Sequence, residues 1–129
     1  MMNYVLVAAG SAIGGVARYY CTGLASRLIS ETFPWGTLLI NVGGSLVIGV
    51  LAALATDDGA HPLVAHEARL LLMVGVCGGF TTFSSFSLET LNLARNGDWL
   101  AAGGYVIGSV VLCLAVVAAG YFGTLALQR

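Results

Sequence analysis

The residues best equipped for chemistry are Gly78-Gly79-Phe80-Thr81-Thr82-Phe83-Ser84-Ser85-Phe86, in the middle of an apolar run long enough to cross a membrane. They bring two adjacent glycines, four hydroxyls and three phenyl rings. Irregular backbone and polar groups at membrane depth are tolerated only where protein buries them or where they line a cavity. The segment therefore reads as a pathway or binding site, not a lipid-facing wall. Gly78 and Gly79 favour an unwound turn, and unwinding frees carbonyls and amides that can hold ions. Phe80 and Phe83 are three apart, a spacing that plain core packing also produces. A phenyl ring has a positive edge, however. Ring edges, hydroxyls and an amide NH2 can together meet a small anion without a fixed positive charge. Weak contacts at several sites let the ion leave again. Ser85 and Glu89 continue the face at helical spacing. Glu89 is the carboxylate inside the span, and an intramembrane acid is a functional suspect. Snorkelling or pairing near the membrane edge is the ordinary alternative.

Other polar groups fall into stripes. Thr37, Asn41, Ser45 and Gly49 recur every four residues, so a helix puts them on one face. Asn41 is the costly member, because a buried amide must find partners; an interhelical clamp is the plain reading. Tyr105, Ser109 and Cys113 form a second such stripe, and two weakly polar stripes look more like a track than a clamp. Arg18 is the base inside a span, either bound to helix carbonyls or drawing anions into a vestibule. Cys21, Cys77 and Cys113 all sit in apolar segments and read as small buried hydrophobes, not a disulfide framework. His61 and His66 are expected in a polar loop, solvated and without a metal. No nucleophile–base pair, phosphate loop or acid pair is present, so catalysis is not expected.

Four apolar spans must position these groups. The chain has 129 residues, 58% hydrophobic and 9% charged, with a mean hydropathy of +0.92. Soluble domains carry about 25% charge, so this is an integral membrane protein. It is expected to be one four-span membrane domain over residues 1–129. The spans run from about Tyr4 to Leu28, Trp35 to Ala55, Ala68 to Ala94 and Trp99 to Leu127. Each exceeds the ~20 residues that cross hydrocarbon. Pro34 separates the first two. Asp57-Asp58-Gly59-Ala60-His61-Pro62 forms a polar loop, and Asn96-Gly97-Asp98 a tight connection. The start reads as a first span, not a cleaved signal. Trp35, Trp99, Tyr4 and Tyr121 lie near span ends, as interfacial aromatics do. Gly10 and Gly14, and Gly104 and Gly108, are four apart, the spacing of close helix contacts.

Orientation is left undecided by charge. The net charge of −1 implies no nucleic-acid surface. Lysine is absent and the five positive side chains are arginines. Arg69 and Arg129 flank one side, Arg27 and Arg95 the other. The positive-inside rule needs an asymmetry, and here the charges cancel. The chain either inserts both ways and pairs as an antiparallel dimer, or is oriented by its N-terminal amine or a partner.

The chain resembles the fluoride-channel family Fluc, also called CrcB. The resemblance rests on Gly14-Gly15-Val16-Ala17-Arg18-Tyr19, on Gly36-Thr37-Leu38-Leu39-Ile40-Asn41, and on the stretch from Gly75 to Phe86. It covers all four spans. It implies an all-α membrane protein with four transmembrane helices, the third broken near its centre, paired as a dual-topology homodimer with two antiparallel fluoride pores. It implies passive export of cytosolic fluoride across the cell inner (plasma) membrane. The pore is then expected along Phe80, Phe83, Asn41, Thr37, Thr82, Ser84, Tyr105 and Ser109, with Arg18 and Glu89 at a vestibule. Backbone carbonyls of Gly78 and Thr81 would hold a structural sodium ion. Cys113 stands where the stripe would carry a serine. The rivals are a small multidrug transporter, which needs an acid in the first span where this chain has Arg18, and a non-transporting scaffold, which leaves the Phe-Thr-Ser insert without a purpose.

Overall fold

The computed structural model describes residues 1–29, 32–56 and 65–128. These are helical almost throughout. Helix α1 is Met2–Leu28 and α2 is Trp35–Leu54. The third segment, α3, comprises a first turn His66–Arg69, a π-helical stretch Leu70–Cys77 and a closing turn Gly78–Phe80. Helix α4 is Phe83–Arg95, and α5 is Trp99–Leu127. The predicted loop from Asp57 to Pro62, with His61, and Arg129 lie outside the described residues. His66 stands in the first turn of α3, not in a loop.

Among the described residues, three stretches are both long and apolar enough to cross a membrane: Trp35–Leu54, His66–Arg95 and Trp99–Leu127. Helix α1 has the length, at 27 residues, but not the hydropathy, because Asn3, Arg18 and Arg27 dilute it. Its course is set by packing instead. Contacts between α1 and α3 advance together along both helices, from Gly10 at Gly75 to Gly14 at Phe80, so the two run parallel. A Cβ on Gly10 would collide with the Leu71 carbonyl oxygen, and one on Gly79 would sit 2.6 Å from the Ser11 oxygen. Backbones this close need residues without side chains.

Helices α2 and α5 form the second parallel pair and the most extensive contact in the chain. A Cβ on Gly120 would lie 2.7 Å from the Leu46 oxygen, and one on Gly49 would collide with that of Val117. The Gly10–Gly14 pair is thus a seam. The Gly104–Gly108 pair is not one within this chain: nothing lies within 4 Å of either added Cβ. Tyr121, expected near a span end, lies against the end of α2. It is half-buried, with its hydroxyl 3.4 Å from Thr56 Oγ1. The Asn96–Asp98 connection is as tight as expected. Gly97 takes φ +84, and Asp98 caps α5 by accepting from the Ala101 amide at 3.2 Å.

The third span breaks, but not at its glycines. Gly78 stays right-handed helical at φ −63, ψ −37. The extended residues are Thr81 (φ −82, ψ 158) and Thr82 (φ −152, ψ 118). The glycines are spent on the α1 seam. Threonine, β-branched, accepts extended backbone more readily than most residues, and a side chain from α2 holds it there.

Candidate functional site

Asn41 reaches from α2 across to the break. Its Oδ1 accepts from the Thr82 amide at 2.8 Å, and its Nδ2 donates to the Thr82 carbonyl at 3.0 Å. One side chain therefore satisfies both backbone groups of a residue that helix geometry has abandoned. This is the clamp reading of Asn41. An amide nitrogen carries two hydrogens, so one N–H is left over. Thr82 then starts α4, its Oγ1 accepting from the Ser85 amide at 3.2 Å. Its hydroxyl also meets Ser84 Oγ and Ser85 Oγ, each at 3.2 Å.

These bonds have a consequence for the carbonyls. In a continuous helix the Thr82 amide would bond to the Gly78 carbonyl, and the Ser85 amide to the Thr81 carbonyl. Both amides are diverted, to Asn41 and to the Thr82 hydroxyl. Gly78 and Thr81 thereby lose their usual helical partners.

A cavity of about 320 Å³ lies beside the break, between α2, the third span and α5. Its lining includes Asn41, Thr82 and Ser109, the aromatic residues Phe83 and Phe86, and Cys113. No Asp, Glu, Lys, Arg or His among the described residues lines it. Ser109 Oγ is buried and has no hydrogen-bond partner among the described residues. An orphaned buried hydroxyl costs about 1–3 kcal/mol, so Ser109, in the cavity lining, is a candidate donor to whatever the cavity holds.

The expected pore residues are only partly brought together. Phe83 faces the cavity and is 77% exposed. Phe80 lies on the other side of the break, half-buried, and meets Gly44 instead. The nearest ring partner of Phe83 is Phe86, at 5.3 Å. Thr37 and Tyr105 are buried away from this cavity and are tied together through Glu89. Thr37 Oγ1 donates to Glu89 Oε1 and Tyr105 OH to Glu89 Oε2, each at 2.8 Å. Glu89 faces a second cavity of about 260 Å³, shared with Thr22, Ser26 and Trp35. Arg18 forms no ion pair among the described residues, and its carbonyl accepts from Thr22 Oγ1 at 2.8 Å. Phe33 is not marked by pattern, and Phe86 only as one of the three rings of the insert. They pack on the Tyr105 ring at 5.4 and 5.1 Å. For Phe86 the spacing from Phe83 was a usable signal; for Phe33, in a connection, there was none.

The fold and site define a helical membrane protein with a broken span, a hydroxyl-lined cavity beside the break and no fixed charge in that cavity. The family described as CrcB-like protein, Camphor Resistance (CrcB), matches residues 5–121, and the chain belongs to that family. It is 54% identical over 129 residues to a protein of Paramagnetospirillum magneticum named fluoride-specific ion channel FluC, covering all of both chains. It is 51% identical over 128 residues to one of the same name from Opitutus terrae, covering 99% of this chain and 96% of that one. A third so named, from Methylocella silvestris, is 48% identical over 128 residues, at 99% and 97% coverage.

Proposed function

We propose that this chain is a passive, fluoride-selective ion channel that lets fluoride leave the cell down its gradient. The observation that carries the reading is Ser109 Oγ, buried and unpartnered among the described residues, in the lining of an uncharged cavity that Asn41 also lines. Hydrogen-bond donors without a fixed cation suit a small anion that must bind and leave. Stripping water from a small anion is expensive, so closely placed donors have to replace it. Export then needs no energy source, because hydrogen fluoride enters a cell as a neutral molecule and dissociates inside. The test is efflux from liposomes reconstituted with the purified protein. Fluoride should leave rapidly and chloride should be retained; comparable chloride flux overturns the reading.

The working unit we infer is an antiparallel homodimer in the plasma membrane, with two pores. The balanced arginines support it, as do the outward Gly104–Gly108 face and the exposed Phe83 ring. Gly78 and Thr81 are the residues that would hold a structural sodium ion, through the carbonyls whose helical amides are diverted. When bound, the ion would satisfy the carbonyls freed at the break. An experimental structure with no cation held by these carbonyls would overturn that part alone.

A further inference from the structure

The Glu89 carboxylate is gripped by two helices other than its own. Thr37 on α2 and Tyr105 on α5 each donate to one of its oxygens at 2.8 Å. Thr37 is 3% exposed and Tyr105 1%, so bulk water is not their alternative. A hydroxyl has one hydrogen to give, and both are spent on Glu89. One turn along α5, Ser109 has its hydrogen unspent. The same polar stripe thus holds a ready donor and a committed one. Among the described residues, the polar groups facing Glu89 are Thr37 and Trp35 from α2, Tyr105 from α5, and Thr22 and Ser26 of α1 across the second cavity. None of them is cationic.

We propose that Glu89 is a tethered anion that competes with the travelling fluoride for the hydroxyl hydrogens of Thr37 and Tyr105. This rests on the reading above that the hydroxyl-lined stripe is the ion's path. A carboxylate oxygen and a fluoride ion are both compact anionic acceptors, and each takes a short charge-assisted bond from a hydroxyl. They cannot take the same hydrogen together. The ion passes this point when the carboxylate lets a hydroxyl go, and it leaves when the carboxylate reclaims it. Fluoride is then held weakly where a pair of buried donors would otherwise trap it.

The test is electrical current across planar bilayers, which neutral hydrogen fluoride does not carry. Glu89→Gln keeps the shape, removes the charge and leaves one carbonyl oxygen to accept. The half-saturating fluoride concentration should fall about tenfold, the advantage a charged acceptor has over a neutral one. Maximal current should fall with it, because the ion leaves more slowly. A purely structural role would lower maximal current and leave half-saturation unmoved. In a Tyr105→Phe background, where one contested hydroxyl is gone, the shift should shrink. Half-saturation changed by less than about twofold, or an equal shift in that background, overturns the proposal. Should the Gln variant fail to assemble, Tyr105→Phe is compared with Ser109→Ala. The contested hydroxyl should move half-saturation less than the free one, and the reverse order overturns the competition. Absence of fluoride current in the wild type overturns the conduction reading itself.

Discussion

Asn41 does two jobs with one amide, and they separate on substitution. Asn41→Ala leaves the Thr82 N–H and C=O without their partner. Two unpaired buried backbone groups cost about 2–6 kcal/mol together, so thermal unfolding in detergent should fall by several degrees; an unchanged midpoint would contradict the clamp. Asn41→Asp puts a negative charge beside the ion's path and should slow fluoride efflux at least tenfold, equivalent to about 1.4 kcal/mol. The rings separate differently. Phe83 is 77% exposed in the single chain, so Phe83→Ile should alter the stability of that fold by no more than about 0.5 kcal/mol. Phe80 is half-buried against Gly44. Both Ile variants keep an apolar side chain and lose the positive ring edge, and both should slow efflux severely. Wild-type rates in both, from protein that elutes cleanly on gel filtration, would remove the phenyls from the pore. At this scale the chain was legible where type and spacing coincide. Asn41, Thr37 and Ser109 announce themselves as costly groups in apolar helices. The Glu89 link to Thr37 did not, because its partner is 52 residues away in sequence.

At the scale of elements, the seams decide what can be changed. A Cβ on Gly79 meets the Ser11 oxygen at 2.6 Å, whereas one on Gly104 meets nothing within 4 Å. Gly79→Ala should therefore cost about 1–3 kcal/mol of overpacking. Gly104→Ala should be neutral for the fold and, if that face meets a partner, should act on association instead. Unfolding and dimerisation measured side by side distinguish the two; equal destabilisation by both would contradict the packing described. The four helical segments were readable from apolar runs and from Pro34 and Gly97. Two features were not. Three of four segments carry their own hydropathy, and α1 borrows its course from α3. The break sits at Thr81–Thr82 because tertiary bonds from Asn41 and seam packing at Gly79 outweigh glycine's local freedom.

For the whole molecule, the balanced arginines make orientation a property that two residues can tip. Adding two lysines beside Asp58 should drive every copy one way, and two beside Asn96 the other, since orientation follows Lys and Arg near span ends. If the functional unit is antiparallel, each variant alone should lose fluoride transport and the two expressed together should restore it. Full activity from either alone would remove the antiparallel pairing and leave the conduction reading standing. The Asn41–Thr82 clamp also bears on how such a chain is made. Synthesis runs from the N-terminus, and Asn41 precedes Thr82 by 41 residues. The partner for the interrupted backbone is thus already translated when that backbone leaves the ribosome. Unpaired amides and carbonyls cost several kcal/mol each in hydrocarbon. With α2 inserted first, the third segment enters a bilayer that already holds its missing bonds, and the order of the chain spares it a stranded intermediate.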